Sequence, residues 1–350
     1  MTPSKHPGQL PLFPPEIDRL FRQIPEVGRQ ADIRYFGTQA RSALNGPQST
    51  GMPFWSINPY VGCAFGCAYC YARYAHRYAM DRYKTDDRLD DDLQQDAEVM
   101  PFWLAFERRI FVKRNAPELL ARTLREGGDR YLPLVQGEGI LIGSATDPYQ
   151  PAERSYRLTR RILEVLAEHP GLRLTIITKS PLITRDIDVL RRIVRHSRLS
   201  VHISLITLDR ELARRIEPRA PTPDARLRAM RRLRQAGIDV GVNCMPVLPG
   251  ITDMPEGLEA LVKRVAEMGV RHMATGALRL NGTARLRYFP FITQHFPDLA
   301  ARYHNTYAHS WNIGDRYRSR LAEYMSELYE RYGLNREAEW PRQTVARQKK

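Results

Sequence analysis

Cysteine is scarce in this chain, four among 350 residues, and no apolar stretch approaches the roughly eighteen residues needed to span a bilayer. So few thiols cannot staple a chain of this length into a disulfide framework. The fold must rest on a core, for which 43% apolar residues is an ordinary supply. A soluble protein without a membrane role is expected. The first residues, MTPSKHPGQLPLFPPEIDRLF, hold prolines where a secretory signal needs a continuous apolar helix, so the cytoplasm is the expected compartment. The turn G-x-G-x-x-G is missing as well, which leaves dinucleotide binding unsupported.

Negative charge is also in short supply. Against 39 Asp and Glu stand 54 Lys and Arg, a formal net charge of +15. Such a surplus attracts polyanions through phosphate contacts and counterion release, so DNA or RNA is the expected macromolecular partner. The same arginines, in stretches such as ARLRAMRRLRQAG, would also serve to solvate helix faces, and charge alone does not separate the two.

Residues 1–49, rich in Pro, Gly, Gln and Ser, read as an N-terminal extension that packs on or wraps a core, with one short helix at PEIDRLFRQI. Apolar, β-branched segments follow at SINPYVG (56–62), GILIGSA (139–145), LRLTIIT (172–178), LSVHISL (199–205), IDVGVNCMPVL (238–248) and VRHMATGAL (270–278). Between the later ones lie AERSYRLTRRILEVLAEH, PLITRDIDVLRRIVRH, TPDARLRAMRRLRQAG and MPEGLEALVKRVAEMG, with helical spacing of apolar residues. Strands alternating with helices specify βαβ units and a parallel sheet, either open or closed into all or part of a barrel. Residues 50–285 would form this core. Residues 286–350 read as a C-terminal helical segment ending in the basic tail PRQTVARQKK.

Three of the four cysteines crowd into CAFGCAYCYARY, residues 63–74. Cys63, Cys67 and Cys70 make a C-x3-C-x2-C pattern on the loop leaving the first strand segment, where parallel α/β folds keep their chemistry. Three thiolates are too many for a disulfide and one too few for a closed tetrahedral site. Soft sulfur ligands select zinc, copper(I) or iron–sulfur clusters. Zinc would need a fourth ligand such as His76, and the sequence holds no second C-x2-C or H-x3-H to complete a structural site. A cubane cluster held by three thiolates keeps one iron open to an outside ligand, which is a reason to omit the fourth.

This loop, with the aromatic Tyr69 two places after its second cysteine, resembles the radical S-adenosylmethionine (SAM) superfamily. NPYVGCAFGCAYCY, SATDPYQPAE, ITKS, HISL followed by EPRAPTPDARLRAM, and NCMPVLPGITD, spread over residues 50–285, resemble its spore photoproduct lyase-like branch, also labelled DNA repair photolyase-like. The resemblance implies a partial (β/α)6 TIM-type barrel, a 4Fe–4S cluster on Cys63, Cys67 and Cys70, and SAM chelated to the open iron. It implies a lyase-like enzyme that cleaves SAM reductively to a 5′-deoxyadenosyl radical, which takes hydrogen from a substrate. Tyr69, Thr146, Asp147, Lys179 and Ser204 fall where the family binds SAM: Thr146 and Asp147 toward its ammonium, Lys179 toward its carboxylate, Ser204 toward the ribose or methionyl portion. Tyr69 and Tyr71 match the tyrosines of a hydrogen-atom relay. On the residues alone, Thr146 and Asp147 also fit an Asp-Pro turn, and Ser204 a buried serine satisfying a carbonyl.

The resemblance further implies an electron donor such as flavodoxin or ferredoxin and a nucleic-acid base as substrate. A protein, peptide or small metabolite is the alternative on the same chemistry, and a zinc-stabilised nucleic-acid-binding module without catalysis is a third reading. One position departs from the lyase. Where that enzyme carries a cysteine that returns a hydrogen atom to the product radical, this sequence has Ser144, whose O–H bond is too strong for the task. SAM cleavage is therefore expected without efficient spore photoproduct repair. Cys244, in the fifth strand segment, either faces the site or is a small buried apolar residue.

Overall fold

The computed structural model describes residues 23–334. The helix expected at PEIDRLFRQI, but for its last two residues, and the basic tail lie outside the described residues. The strands are β1 (Glu26–Gln30), β2 (Ile33–Thr38), β3 (Trp55–Ile57), β4 (Tyr60–Val61), β5 (Arg109–Lys113), β6 (Gly139–Ile142), β7 (Arg173–Thr178), β8 (Arg198–Ser204), β9 (Asp239–Val247) and β10 (His272–Ala277).

One sheet runs β3-β6-β7-β8-β9-β10, every neighbour parallel, and each expected segment supplies one of its strands. Helices Leu158–Leu166, Ile187–Val194, Pro223–Gln235 and Pro255–Glu267 connect them where helical spacing was read. The third starts cleanly because the Thr222 hydroxyl caps the Ala225 N–H and Pro223 takes the first turn, where a missing donor costs nothing. The first expected helix is divided, because Arg157 adopts a left-handed φ of 49° between Ala152–Tyr156 and Leu158–Leu166. Alternation along the strands sends Val201 and Ile203 of β8 and Val240, Val242 and Cys244 of β9 into the core shared with these helices. The fold is thus the partial (β/α)6 TIM-type barrel.

A second sheet, β1-β2-β5-β4, adds strands that the sequence pattern does not mark. In it β2 runs parallel to β5, while β1 and β4 run antiparallel to their partners. SINPYVG is therefore divided: β3 joins the barrel and β4 joins the second sheet. The cysteine loop follows β4 and so begins at the seam between sheets. Within residues 23–49, β1 and β2 join this second sheet, β2 pairing with β5. Helices Gly282–His295 and Pro297–Tyr307 cover the cysteine loop, burying Tyr288, Phe291, Tyr303 and Tyr307 in one core with Cys63, Phe65, Cys67 and Phe106. Helix Asp315–Tyr332 closes against the barrel sheet, where the Tyr329 and Thr275 hydroxyls lie 3.0 Å apart. Among the described residues no helix is long and apolar enough to cross a membrane.

Candidate active site

The cysteine loop is built around two glycines. Gly62 and Gly66 adopt φ of 88° and 66°. A Cβ on Gly62 would stand 2.7 Å from the Phe106 carbonyl oxygen, and one on Gly66 2.6 Å from the Arg219 guanidinium. Side chains from elsewhere clamp the turn. Gln150 donates to the Gly62 carbonyl (3.0 Å) and accepts from the Ala64 N–H (2.9 Å). Thr146 Oγ1 donates to the same Gly62 carbonyl (2.6 Å), Arg73 to the Cys67 carbonyl (2.8 Å) and Arg219 to the Ala64 carbonyl (2.6 Å).

The three thiols on this loop are free of disulfides. Burial raises all of them, Cys67 to about 12; Asp147 and the other two thiols raise Cys63 further, while Lys179 pulls Cys67 back. Three thiolates in one apolar pocket need a strong countercharge, which a cationic iron–sulfur centre provides. Among the described residues no three His, Cys, Asp or Glu side chains converge on one metal point. A cubane does not require that, because each thiolate takes a different iron. His76, the fourth ligand a zinc site would have used, is fully buried, its Nε2 2.9 Å from the Arg109 carbonyl and its ring against Phe111.

At the strand ends a buried charge network meets the loop. The Tyr69 hydroxyl and an Arg226 N–H both donate to the Glu217 carboxylate, and Lys179 Nζ lies 3.8 Å from it and 5.7 Å above the Tyr69 ring. Burial would raise Glu217, yet Arg226, Lys179 and the Tyr69 hydroxyl hold it below the ordinary carboxylate range. Burial opposes the charge of Lys179, but Cys67 and Glu217 hold its pKa above the usual lysine value. Asp147 accepts from Thr178 Oγ1 (2.7 Å), the Lys179 N–H (2.7 Å) and the Tyr149 N–H (2.9 Å), which fixes the turn after β6 against the end of β7. Ser204 ends β8, buried, with its carbonyl accepting from Arg226 (2.9 Å).

Tyr71 is different: it is 45% exposed, and its hydroxyl donates to the Ser144 carbonyl. Ser144 Oγ accepts from Asn58 (2.9 Å), and the Asn58 carbonyl accepts from Lys113 Nζ (2.8 Å). Burial, then Arg82, lowers Lys113 to about 8. Asn281 donates to the Tyr71 carbonyl (3.1 Å), and the neighbouring Leu280 N–H to the Trp311 carbonyl (2.8 Å), so two exposed aromatics, Tyr71 and Trp311, flank one stretch.

Every expected site residue thus lies on or against the cysteine loop or the adjoining strand ends, and two polar groups that sequence reasoning missed join them. Glu217 and Arg226 both stand in EPRAPTPDARLRAM, so the signal was present, but their burial was not readable. Cys244 belongs to the sheet–helix core rather than to the cysteine-loop core.

Residues 57–265 match the family model of the radical SAM superfamily. An uncharacterized protein of Mycobacterium tuberculosis is 32% identical over 304 residues, 86% of this chain and 82% of its own length. The chain therefore belongs to the radical SAM superfamily: it is an enzyme, and its cofactors are a 4Fe–4S cluster and SAM. An uncharacterized protein of Acidianus two-tailed virus is 32% identical over 219 residues, 62% of this chain and 64% of that one. Among solved structures, spore photoproduct lyase complexed with dinucleoside spore photoproduct shares the fold at a TM-score of 0.59 and 16% identity, covering 89% of this chain and 86% of the lyase. A lyase mutant with bound AdoMet and the same dinucleoside superposes at 0.59 with 17% identity, covering 89% and 85%. Membership in an enzyme family removes the third reading, a zinc module without catalysis.

Proposed function

We propose that the chain carries out radical SAM chemistry on a nucleic-acid base, with residues 50–285 as the catalytic unit flanked by segments 1–49 and 286–350. The observation that carries this reading is the clamped, thiol-bearing loop at the strand ends, bordered by two exposed aromatics. When bound, the cluster and SAM supply the hard chemistry, reductive cleavage of the sulfonium and hydrogen-atom abstraction. Cys63, Cys67 and Cys70 would hold the cluster. Thr146, Asp147, Lys179 and Ser204 would form the SAM side of the pocket, Thr146 and Asp147 mainly by fixing backbone and Lys179 by presenting a cation. Tyr69, held by Glu217, would pack against SAM, and Tyr71, at the rim beside Ser144, would be the tyrosine that reaches substrate.

Support for a nucleic acid is the net charge of +15, the exposed Tyr71 and Trp311 as stacking surfaces, and the lyase-like fold. A flavodoxin- or ferredoxin-type donor would supply electrons, and four unpaired thiols suit a cytoplasmic location. The test is an anaerobic incubation with SAM and deuterated candidate substrates. Deuterium arriving in 5′-deoxyadenosine from DNA or RNA supports the proposal. Transfer only from peptides or metabolites would replace the substrate class.

A further inference from the structure

The helix-built flank of the cysteine loop holds a second charge cluster that the proposed chemistry does not use. At its centre is Glu107, 4% exposed, and three arginines share it: Arg73 at 2.6 Å, Arg219 at 3.5 Å and Arg287 at 3.8 Å. One carboxylate faces three guanidinium groups, so two positive charges are left over. Arg73 is fully buried, whereas the side chains of Arg219 and Arg287 keep 30% and 24% of their surface. Arg108 adds a further guanidinium whose own partner, Asp32, lies 3.2 Å away on the surface. Burial holds Arg287 below its ordinary pKa against the pull of Glu107, and Arg73, Arg219 and Arg108 press it further down. Arg215 is exposed, with its guanidinium 5.5 Å over the ring of Phe296, the residue that ends the helix carrying Arg287.

Crowding like charges this way opposes folding, and a partner bearing the opposite charge relieves it. Position narrows the partner. Arg219 touches Gly66, between Cys63 and Cys67, and bonds the Ala64 carbonyl, so whatever docks here lies against the cluster-bearing loop. SAM and substrate belong to the strand ends, marked by Asp147, Lys179 and Tyr71. An electron has to arrive without displacing them.

We infer that the face formed by Arg108, Arg215, Arg219 and Arg287 is the docking surface for a small acidic electron-transfer protein, which passes one electron to the cysteine-bound cluster across the Cys63–Cys67 turn. The inference rests on the radical SAM reading of that loop. The reduced donor loses one electron and the oxidised cluster gains it, with no bond made or broken. A nucleic-acid strand is the competing occupant of a basic face.

The test uses anaerobically purified holoenzyme, reduced flavodoxin as probe, and the bleaching of visible cluster absorption in a stopped-flow cell. Arg215→Glu, an exposed change that spares the loop, and Arg287→Gln should each lower the bimolecular rate of reduction by flavodoxin, the two together about tenfold or more, with a flatter salt dependence. Reduction by dithionite, a small chemical reductant, should be unchanged. Equal flavodoxin rates in parent and variants would overturn the proposal. So would variants that weaken DNA oligonucleotide binding while leaving the flavodoxin rate intact. A parent protein without iron and visible absorption would sink the cluster reading itself, an outcome recognisable before any donor is added.

Discussion

Two buried charge clusters border the same cysteine loop, and they differ in how they are balanced. On the strand side, Glu217 sits among Arg226, Lys179 and the Tyr69 hydroxyl, with Asp147 nearby, so two cations meet two carboxylates. On the helix side, Glu107 alone answers Arg73, Arg219 and Arg287. A balanced network in a closed pocket fixes geometry at little electrostatic cost to its surroundings. An unbalanced one that reaches solvent leaves charge available to something outside. The difference fits the proposed roles, in which the strand side holds small molecules and the helix side meets a partner.

The sharpest way to break this comparison is to remove what both sides serve. Alanine at Cys63, Cys67 or Cys70 should abolish the visible absorption of reconstituted protein, whereas Cys244→Ala, in the sheet–helix core, should keep it. A full cluster in the Cys67→Ala protein would remove the common centre.

Next in size is the loss of Glu217. Glu217→Gln strands Arg226 and Lys179 in the interior and should cost roughly 3–5 kcal/mol in urea unfolding, as broken buried pairs do. Adding Lys179→Met should recover part of that loss, because one unpaired cation goes with it. Arg287→Gln should cost less, since Arg287 keeps contact with water and its loss leaves Glu107 paired with Arg73 and Arg219. If the two glutamines destabilise equally, the distinction between closed and open clusters fails.

A smaller effect is expected at Lys113, near the seam between sheets. Its folded pKa, about 8, lies below the 10.5 of a free lysine, so the folded protein binds this proton less tightly than the unfolded chain. The protonated lysine therefore costs stability below pH 8, on the order of 3 kcal/mol, and the cost fades as pH rises from about 8 to 10.5. Lys113→Met should unfold later than the parent at pH 7, with the gap closing at alkaline pH; a gap independent of pH would refute this. Smallest is Thr146→Val, which deletes one clamp on the Gly62 carbonyl and should cost about 1 kcal/mol with a modest loss of iron retention. A cluster as stable as the parent's would show that Gln150 suffices.

Periodicity revealed the barrel because from β6 onward each of its strands is a short apolar run followed by a helical segment, and both periods are local properties. The second sheet escaped for physical reasons of its own. The β1–β2 hairpin turns through Ala31 at a φ of 53° rather than through an Asn-Gly pair, and β5 is five residues wedged directly after a helix. SINPYVG reads as one strand because nothing within it says that its halves pair with different neighbours.

The sequence by itself determined that three thiols share one loop at a spacing suited to a cluster, because that spacing is covalent information that folding does not alter. It also determined the alternation that makes a parallel sheet. Only the tertiary structure decided which charges are paired: Glu217 lies 148 residues from Tyr69 and Glu107 lies 112 from Arg219. Cys244 was decided the same way, because the face a strand residue occupies depends on which layer covers the sheet. Charge balance around the loop is a sum over neighbours brought together from six parts of the chain, and no local pattern carries that sum.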